Sequence, residues 1–441
     1  VPEAQSHAGA VSPRQRVVVV GSGIAGLTAA WCLAPHHDVT LLERQASPGL
    51  TAGNVTVPDA RGRPVRVDVP LRVFYPGYYP TLVRLLDALA LDSEPVSYAT
   101  TFTGADGDVR FRYRNLRWGD RSWGVVAPQD LWHGRTPWRV LAGLWGFTRA
   151  LQGAASGPGA VPAGETLGQF VQRECASGRL TPEFVEVFLL PAVCTVCTCT
   201  LAQAQALPAA VALDYVARGV TRQAVRRMRH GADALTQALT ARAVDLRCGA
   251  RLAHVVPRAD HLRLVFEDDH DELADHVVFA TPAPRSRGLQ PELGADEAAL
   301  LSRFATTPVE VLTHDDEALM PRRRSDWSPV HVWLSPGQPA PESTIWVNAV
   351  QPALRGAAPV FQTVHPQRAV RAAAHIGHAR FERPLVTPDS QAALQALQTL
   401  QGQPGRRVWY CGAFAEPGVP LLESAVRSAL RVARALGAPG F

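Results

Sequence analysis

The stretch from Arg16 to Glu43 reads RVVVVGSGIAGLTAAWCLAPHHDVTLLE, and it restricts the fold more than any other part of the chain. Four consecutive valines, Val17 to Val20, predict a short strand buried on both faces. They run directly into Gly21-Ser-Gly23-Ile24-Ala25-Gly26 at the head of an Ala/Leu-rich helix, the pattern of a dinucleotide-binding turn. Gly21 allows the tight strand-to-helix turn, Gly23 lets backbone approach a pyrophosphate, and Gly26 permits close helix–strand packing. The helix N-terminus, with Ile24 and Ala25 in its first turn, offers free N–H groups and a positive dipole end. A second strand, Val39 to Glu43, ends in a carboxylate seventeen residues after Gly26. An acid there accepts hydrogen bonds from an adenosine ribose and repels a 2′-phosphate, so FAD or NAD is favoured over NADP.

At 441 residues the chain exceeds what one simple core needs, and two domains are expected. A hydrophobic fraction of 46% with 19% charged residues fits an ordinary globular protein. No apolar run approaches the ~20 residues of a membrane span. All 44 basic residues are arginine. The lack of lysine excludes lysine Schiff-base chemistry and a lysine-held water beside a cofactor. The net charge of +5 is spread along the chain, which argues against nucleic-acid binding. Seven cysteines leave one unpaired and show no secreted framework, so a reducing compartment, cytoplasmic or organellar, is expected. The start at Val1 leaves a removed leader open.

Residues 1–13 read as a mobile tail. After Glu43 come Arg44 and Gly49-Leu50, strand-like alternation at Asn54–Val57 and Val65–Val69, an aromatic turn-rich segment Pro70–Pro80, and an amphipathic helix Thr81–Leu89. Val109 to Leu116 alternates with period two and predicts an antiparallel strand with arginines on its wet face, with an anion site as the functional alternative. Five of the ten tryptophans fall between Trp118 and Trp145. They are expected as core or interface anchors, or as the lining of an apolar cavity. A connector over Gln152–Gly164 precedes helical patterns at Thr166–Cys175 and Glu183–Leu190.

Cys194, Cys197 and Cys199 invite a metal or dithiol hypothesis. No second pair follows, and the next histidine is His230, so small buried thiols and no metal site are expected. His375 and His378, which could share a helical face, are expected as surface histidines. Strands at Ala250–Val256, His261–Phe266 and Asp275–Pro282 suit a three-stranded crossover returning to the nucleotide sheet at Ala280-Thr281. A last strand, Arg406 to Gly412, leads into a helix after Pro420, where a missing N–H costs little.

This order of motifs resembles the flavin-containing amine oxidoreductase superfamily, whose cofactor is FAD. Within it, the chain looks most like FAD/NAD-binding proteins often encoded beside cyclopropane-fatty-acyl synthases. The likeness rests on Tyr79-Pro-Thr-Leu-Val-Arg-Leu-Leu86, Asp316 to Trp327, Thr344 to Gln351 and Trp409-Tyr-Cys-Gly-Ala413. It implies pyrophosphate contacts at Gly21, Gly23 and Gly26 and a ribose ligand at Glu43. It also places Gly412, Leu422 and Glu423 beside the ribityl chain and pyrophosphate. Arg44, Gly49, Leu50, Leu252, Ala280, Thr281 and Ala413 complete the expected cofactor set. The chain departs from the pattern at Leu50 and Pro70, where glycines are usual, at Ala413, where an acid is usual, and in its lack of lysine.

The expected fold class is α/β: a three-layer Rossmann-type FAD-binding domain with a β-meander crossover, plus an inserted α+β substrate domain. The expected division assigns residues 14–69, 228–285 and 400–437 to the cofactor domain, and 70–227 and 286–399 to the cap. The expected activity is removal of hydride from a C–H bond of an apolar or amphipathic small molecule, with Arg72, Tyr75, Tyr78, Trp346 and Asn348 as candidate flavin-face or substrate residues. A redox-neutral flavin isomerase or lyase and a non-catalytic flavin-fold binding protein are the alternatives.

Overall fold

Val17 to Val20 are at most 6% exposed because their strand is the centre of a sheet covered on both sides. A computed structural model describes residues 14–118, 121–132, 134–156, 161–162, 164–220, 224–242 and 244–441. The expected tail and residues 157–160 and 163 of the expected connector lie outside the described residues. Arg16–Val20 pairs in parallel with Asp38–Glu43 on one side and His276–Phe279 on the other. Val244–Cys248 and Val408–Tyr410 complete a five-stranded parallel sheet.

All ten residues of the helix Ile24–Leu33 are buried, since the closing helix Leu422–Ala435 and the helix Gly231–Thr240 pack around it. The other face of the sheet presents Val18, Val20, Leu42 and Phe279 to an antiparallel meander. That stacking gives three layers: helices, parallel sheet, meander. The meander consists of Leu252–Pro257, Leu262–Phe266 and Asp271–Ala274. The expected third strand, Asp275–Pro282, is therefore not part of it. Asp275 is the crossing point, where its carboxylate and N–H bond the Arg16 backbone and the chain returns to the parallel sheet as His276–Phe279.

A second, eight-stranded sheet runs in the order His375–Pro384, Thr306–His314, Phe361–Val364, Glu342–Trp346, Val330–Leu334, Thr100–Gly104, Val109–Trp118 and Arg121–Val125. One pair, Val330–Leu334 with Thr100–Gly104, is parallel. Helices, among them Leu167–Ala176 and Leu190–Cys197, bury Phe102, Phe111, Phe170 and Phe184 in a common core with it. The chain is thus α/β, a Rossmann-type sheet joined to an α+β unit.

Several local expectations change. Gln152 to Ser156 continue the helix Thr136–Ser156 rather than starting a connector. The Glu183–Leu190 pattern is a π-helix, Phe184–Leu189, running into Leu190–Cys197, with Pro191 in the first turn, where its missing N–H is tolerated. Arg112 is not on a wet face: it is 4% exposed and pairs with Asp130 and Asp326. His375 and His378 lie on a strand, not a helix, with ring centres 6.5 Å apart. The tryptophans at 118, 123, 132, 138 and 145 are all exposed, not core.

Candidate cofactor and substrate site

Gly21, at φ +101°, makes a turn that a side chain would strain, and a Cβ there would lie 3.1 Å from the Ala280 carbonyl oxygen and the Thr281 methyl. A Cβ on Gly26 would sit 1.8 Å from the Gly21 carbonyl oxygen and 3.1 Å from Ala280 Cβ. Gly23 differs: nothing lies within 4 Å of where its Cβ would be. That open space faces the N-terminus of Ile24–Leu33, which has no side-chain cap and no acid in its first turn. Orphan N–H groups beside a side-chain-free cradle fit a pyrophosphate.

Glu43 is 8% exposed and held in place. Its Oε2 accepts from the Ser22 N–H at 3.0 Å and hydroxyl at 2.7 Å, and its Oε1 from the Gln45 N–H at 2.9 Å. With two bonds on Oε2 and one on Oε1, Oε1 keeps a lone pair for a ribose hydroxyl. Ser22, which the glycine spacing does not single out, also accepts the Gly49 N–H at 2.7 Å. A Cβ on Gly49 would lie 2.8 Å from Glu43 Oε2, so this glycine serves the acid. Arg44 is exposed beyond it.

Leu50, in place of a second glycine, buries its side chain in the helical core and donates its N–H to the Ser22 carbonyl at 3.1 Å. Ala280, Thr281, Gly412 and Ala413 follow the carboxyl ends of the His276–Phe279 and Val408–Tyr410 strands. The Thr281 hydroxyl bonds Ser286 at 2.9 Å and the Gly412 N–H bonds the Ser428 hydroxyl at 2.8 Å. All these groups cluster where the parallel strands end, the usual ligand position in such sheets. Leu252 starts the meander, buried at 4%, two residues after Ala250, whose N–H donates to the Glu43 carbonyl.

The loop from Asp68 to Arg72 links the two sheets. Asp68 accepts the Ala232 N–H at the head of the Gly231–Thr240 helix and the Asn54 amide. Gln362, on the eight-stranded sheet, accepts the Leu71 N–H at 2.8 Å and donates to the Asp68 carbonyl at 2.7 Å. This clamp fixes the backbone around Pro70, and no local sequence pattern announces it. Arg72 donates to the Leu50 carbonyl at 2.6 Å, while its Nη1 is buried without a hydrogen-bond partner and 3.9 Å from Asp68.

The other candidates divide. Tyr78 is buried, and its phenol oxygen accepts the Val419 N–H at 2.9 Å, holding the turn before Leu422. Tyr75 packs edge-on to Tyr215. Burial raises both phenols above the ordinary tyrosine range, so they stay protonated. Trp346 is displaced from this group: Ile345 pairs with Gln362, so strand alternation puts Trp346 with Phe361 on the opposite face, where its ring meets Trp327 at 5.2 Å. Asn348 spends its amide on the Leu354 and Ala358 carbonyls and the Val360 N–H, which closes a turn. The Glu423 carboxylate accepts the Thr81 and Leu82 N–H groups. It caps the helix Pro80–Ala88.

A small cavity of about 50 Å³ lies between the Leu190–Cys197 region and the start of the closing helix, lined among others by Cys197, Cys199, Leu207, Thr307, Arg383 and Pro420. Arg383 donates to the Thr198 hydroxyl at 2.8 Å, and among the described residues no carboxylate pairs with it. Burial pulls its guanidinium below the ordinary value, as it does for nearby Arg72. An arginine lacking a counter-ion at a cavity wall can hold a carboxylate or phosphate. Hydrogen bonding with Cys199 and burial raise the Cys197 thiol, and hydrogen bonding with Cys194 and burial raise the Cys199 thiol, so these are not thiolate nucleophiles. All seven cysteines are free, and no group of three metal-ligating side chains occurs among the described residues.

The sequence matches the model of an NAD(P)-binding Rossmann-like domain over residues 19–89. No curated protein matches it at a significant level. Solved structures share its fold over nearly the whole chain. One, described as a candidate protoporphyrinogen oxidase from Exiguobacterium sp. 255-15, has 16% identity and a TM-score of 0.63, with 96% of this chain and 99% of that one covered. A CLA-producing fatty acid isomerase from P. acnes has 17% identity and a TM-score of 0.63, covering 95% and 98%. Cyclohexylamine oxidase from Brevibacterium oxydans IH-35A has 14% identity and a TM-score of 0.59, covering 96% and 100%. At such identities the likeness establishes a common fold, the one these oxidases and the isomerase use.

Proposed function

We propose that this chain is an FAD-dependent oxidoreductase of the amine oxidase superfamily that takes hydride from a C–H bond of an apolar or amphipathic small molecule. The carrying observation is the open cradle at Gly23 beside the buried, oriented Glu43. A carboxylate at the ribose position disfavours NADP, and the full-length likeness to two proteins named as oxidases favours flavin over a dissociable nicotinamide. In this reading residues 14–69, 228–285 and 400–437 form the cofactor domain and residues 70–227 and 286–399 the cap.

Bound FAD would supply the redox chemistry. The chain would hold the pyrophosphate at Gly21–Gly26 and the ribose at Glu43, and clamp the loop at Pro70 through Gln362. The buried tyrosines would exclude water. Burial keeps the Tyr75 phenol protonated, and hydrogen bonding with burial does the same for the Cys197 thiol, so in this reading these two groups position and do not act as bases. The apolar wall with Arg383 at its side suits the carboxylate end of an amphipathic acid. The resemblance to proteins encoded beside cyclopropane-fatty-acyl synthases points the same way, toward a lipid-like chain.

A redox-neutral isomerisation is the second reading, favoured by the likeness to a fatty acid isomerase. The first experiment is the visible spectrum of the purified protein before and after denaturation. Flavin bands that pass to the supernatant support the proposal. A colourless protein that FAD cannot reconstitute overturns it, leaving a binding protein. Substrate-dependent peroxide formation then distinguishes oxidase from isomerase, which turns over anaerobically without lasting bleaching.

A further inference from the structure

The hairpin at the edge of the eight-stranded sheet leaves large apolar side chains in water. Strand alternation places Arg114, Leu116 and Trp118 on one face, and the register sets Val125, Trp123 and Arg121 opposite them. Leu116 is 59% exposed, Trp118 83%, Trp123 42% and Val125 37%. The Arg121–Val125 strand is the last in its sheet, so no further strand flanks it. The chain then leads through Trp132, 86% exposed, to the helix Thr136–Ser156. There Trp138 and Trp145, seven residues apart and hence on one helical side, are both exposed, and Arg149 lies over the Trp145 ring. An exposed apolar patch of this kind marks an interaction surface.

Its charge selects the occupant. Residues 109–156 contain eight arginines against two aspartates, and one of those, Asp130, is buried in its pair with Arg112. Arg114, Arg121, Arg135 and Arg149 have no carboxylate partner among the described residues. A second copy of the chain would set like charges against each other. Indoles settle at the headgroup level of a bilayer, and arginines beside them engage anionic headgroups. No helix among the described residues is long and apolar enough to cross a membrane, so attachment would be to the surface. We propose that the Val109–Val125 hairpin, extended by the tryptophan side of the following helix, docks this protein on an anionic lipid surface. The inference rests on the surface alone and stands whether or not the flavin reading holds.

The test is co-sedimentation of the full chain with vesicles of phosphatidylcholine alone or mixed with phosphatidylglycerol. Binding should require phosphatidylglycerol, weaken as salt rises, and fall by about tenfold or more in W118S/W123S. The variant R114Q/R121Q should lose binding while keeping its tryptophans. Because all four positions are exposed, both variants should unfold at the wild-type temperature. Several outcomes overturn the proposal: no binding to the mixed vesicles at low salt, equal binding to both vesicle types, or undiminished binding by W118S/W123S. A wild-type dimer that this double variant converts to monomer assigns the patch to a second copy and also overturns it.

Discussion

Gly26 lies so close to Gly21 that a Cβ on it would be 1.8 Å from the Gly21 carbonyl oxygen. The obstacle is backbone at the centre of the sheet, and neither the turn nor the packed helix can yield. Gly26→Ala is therefore expected to reach the upper range of overpacking costs, about 3 kcal/mol. Chemical denaturation measures it. A loss under about 1 kcal/mol would mean that the helix does not approach the strand this closely.

Gly23 offers the opposite case. Its φ of −66° is ordinary, and nothing lies within 4 Å of its would-be Cβ. Gly23→Asp should fold with near-wild-type stability, yet put a negative charge where a pyrophosphate is expected. Equilibrium dialysis against FAD should show binding abolished in this variant and retained in wild type. Equal FAD binding by the two would place the nucleotide elsewhere.

What the sequence shows and what it hides follow from range. Val17 to Glu43 is local: strand, turn, helix and terminal acid are contiguous, and each residue's constraint comes from near neighbours. Gln362 acts on Leu71 across 291 residues and Arg383 on Thr198 across 185, and no local pattern marks them. Trp346 and Asn348 look functional in sequence because aromatic and amide side chains suit sites. Register alone moves Trp346 to the far face, and a turn uses up the Asn348 amide. The exposed tryptophans mislead for the same reason, since residue type predicts a core and only the sheet edge reveals otherwise.

Arg383 is a half-buried cation that donates to the Thr198 hydroxyl and the Val196 carbonyl, with no carboxylate partner among the described residues. A charge held this way is costly, and replacement by an apolar side chain of similar length is commonly neutral or stabilising. Arg383→Met should leave the thermal unfolding temperature of the substrate-free protein unchanged or raised. For an acidic amphipathic substrate the same variant should raise KM by about 10-fold or more, with far less effect on the matching neutral ester. Loss of stability, or an unchanged KM for the acid, would show that the guanidinium is structural.

His314 and His331 are buried as neutral rings. His314 accepts the Asp316 N–H at Nδ1 and bonds Thr363 through Nε2, and His331 bonds the Leu319 carbonyl and the Thr103 hydroxyl. Burial lowers His314 to about 4, against the opposing pull of Asp316 and Asp315, and lowers His331 to about 3, with Arg368 adding to the shift. His276 and His365 are shifted in the same direction. Between pH 6.5 and 4 the unfolded chain takes up protons that the folded chain refuses, so stability falls as pH falls through that window. At about 1.4 kcal/mol per pH unit, His314 alone accounts for roughly 3 kcal/mol. Denaturation at pH 7 and pH 5 should show the loss beginning well above the carboxylate range. In His331→Gln, whose amide can keep both hydrogen bonds, the drop between the two pH values should be smaller. Equal stability of the wild type at pH 7 and pH 5 would show that these imidazoles are not buried as neutral rings.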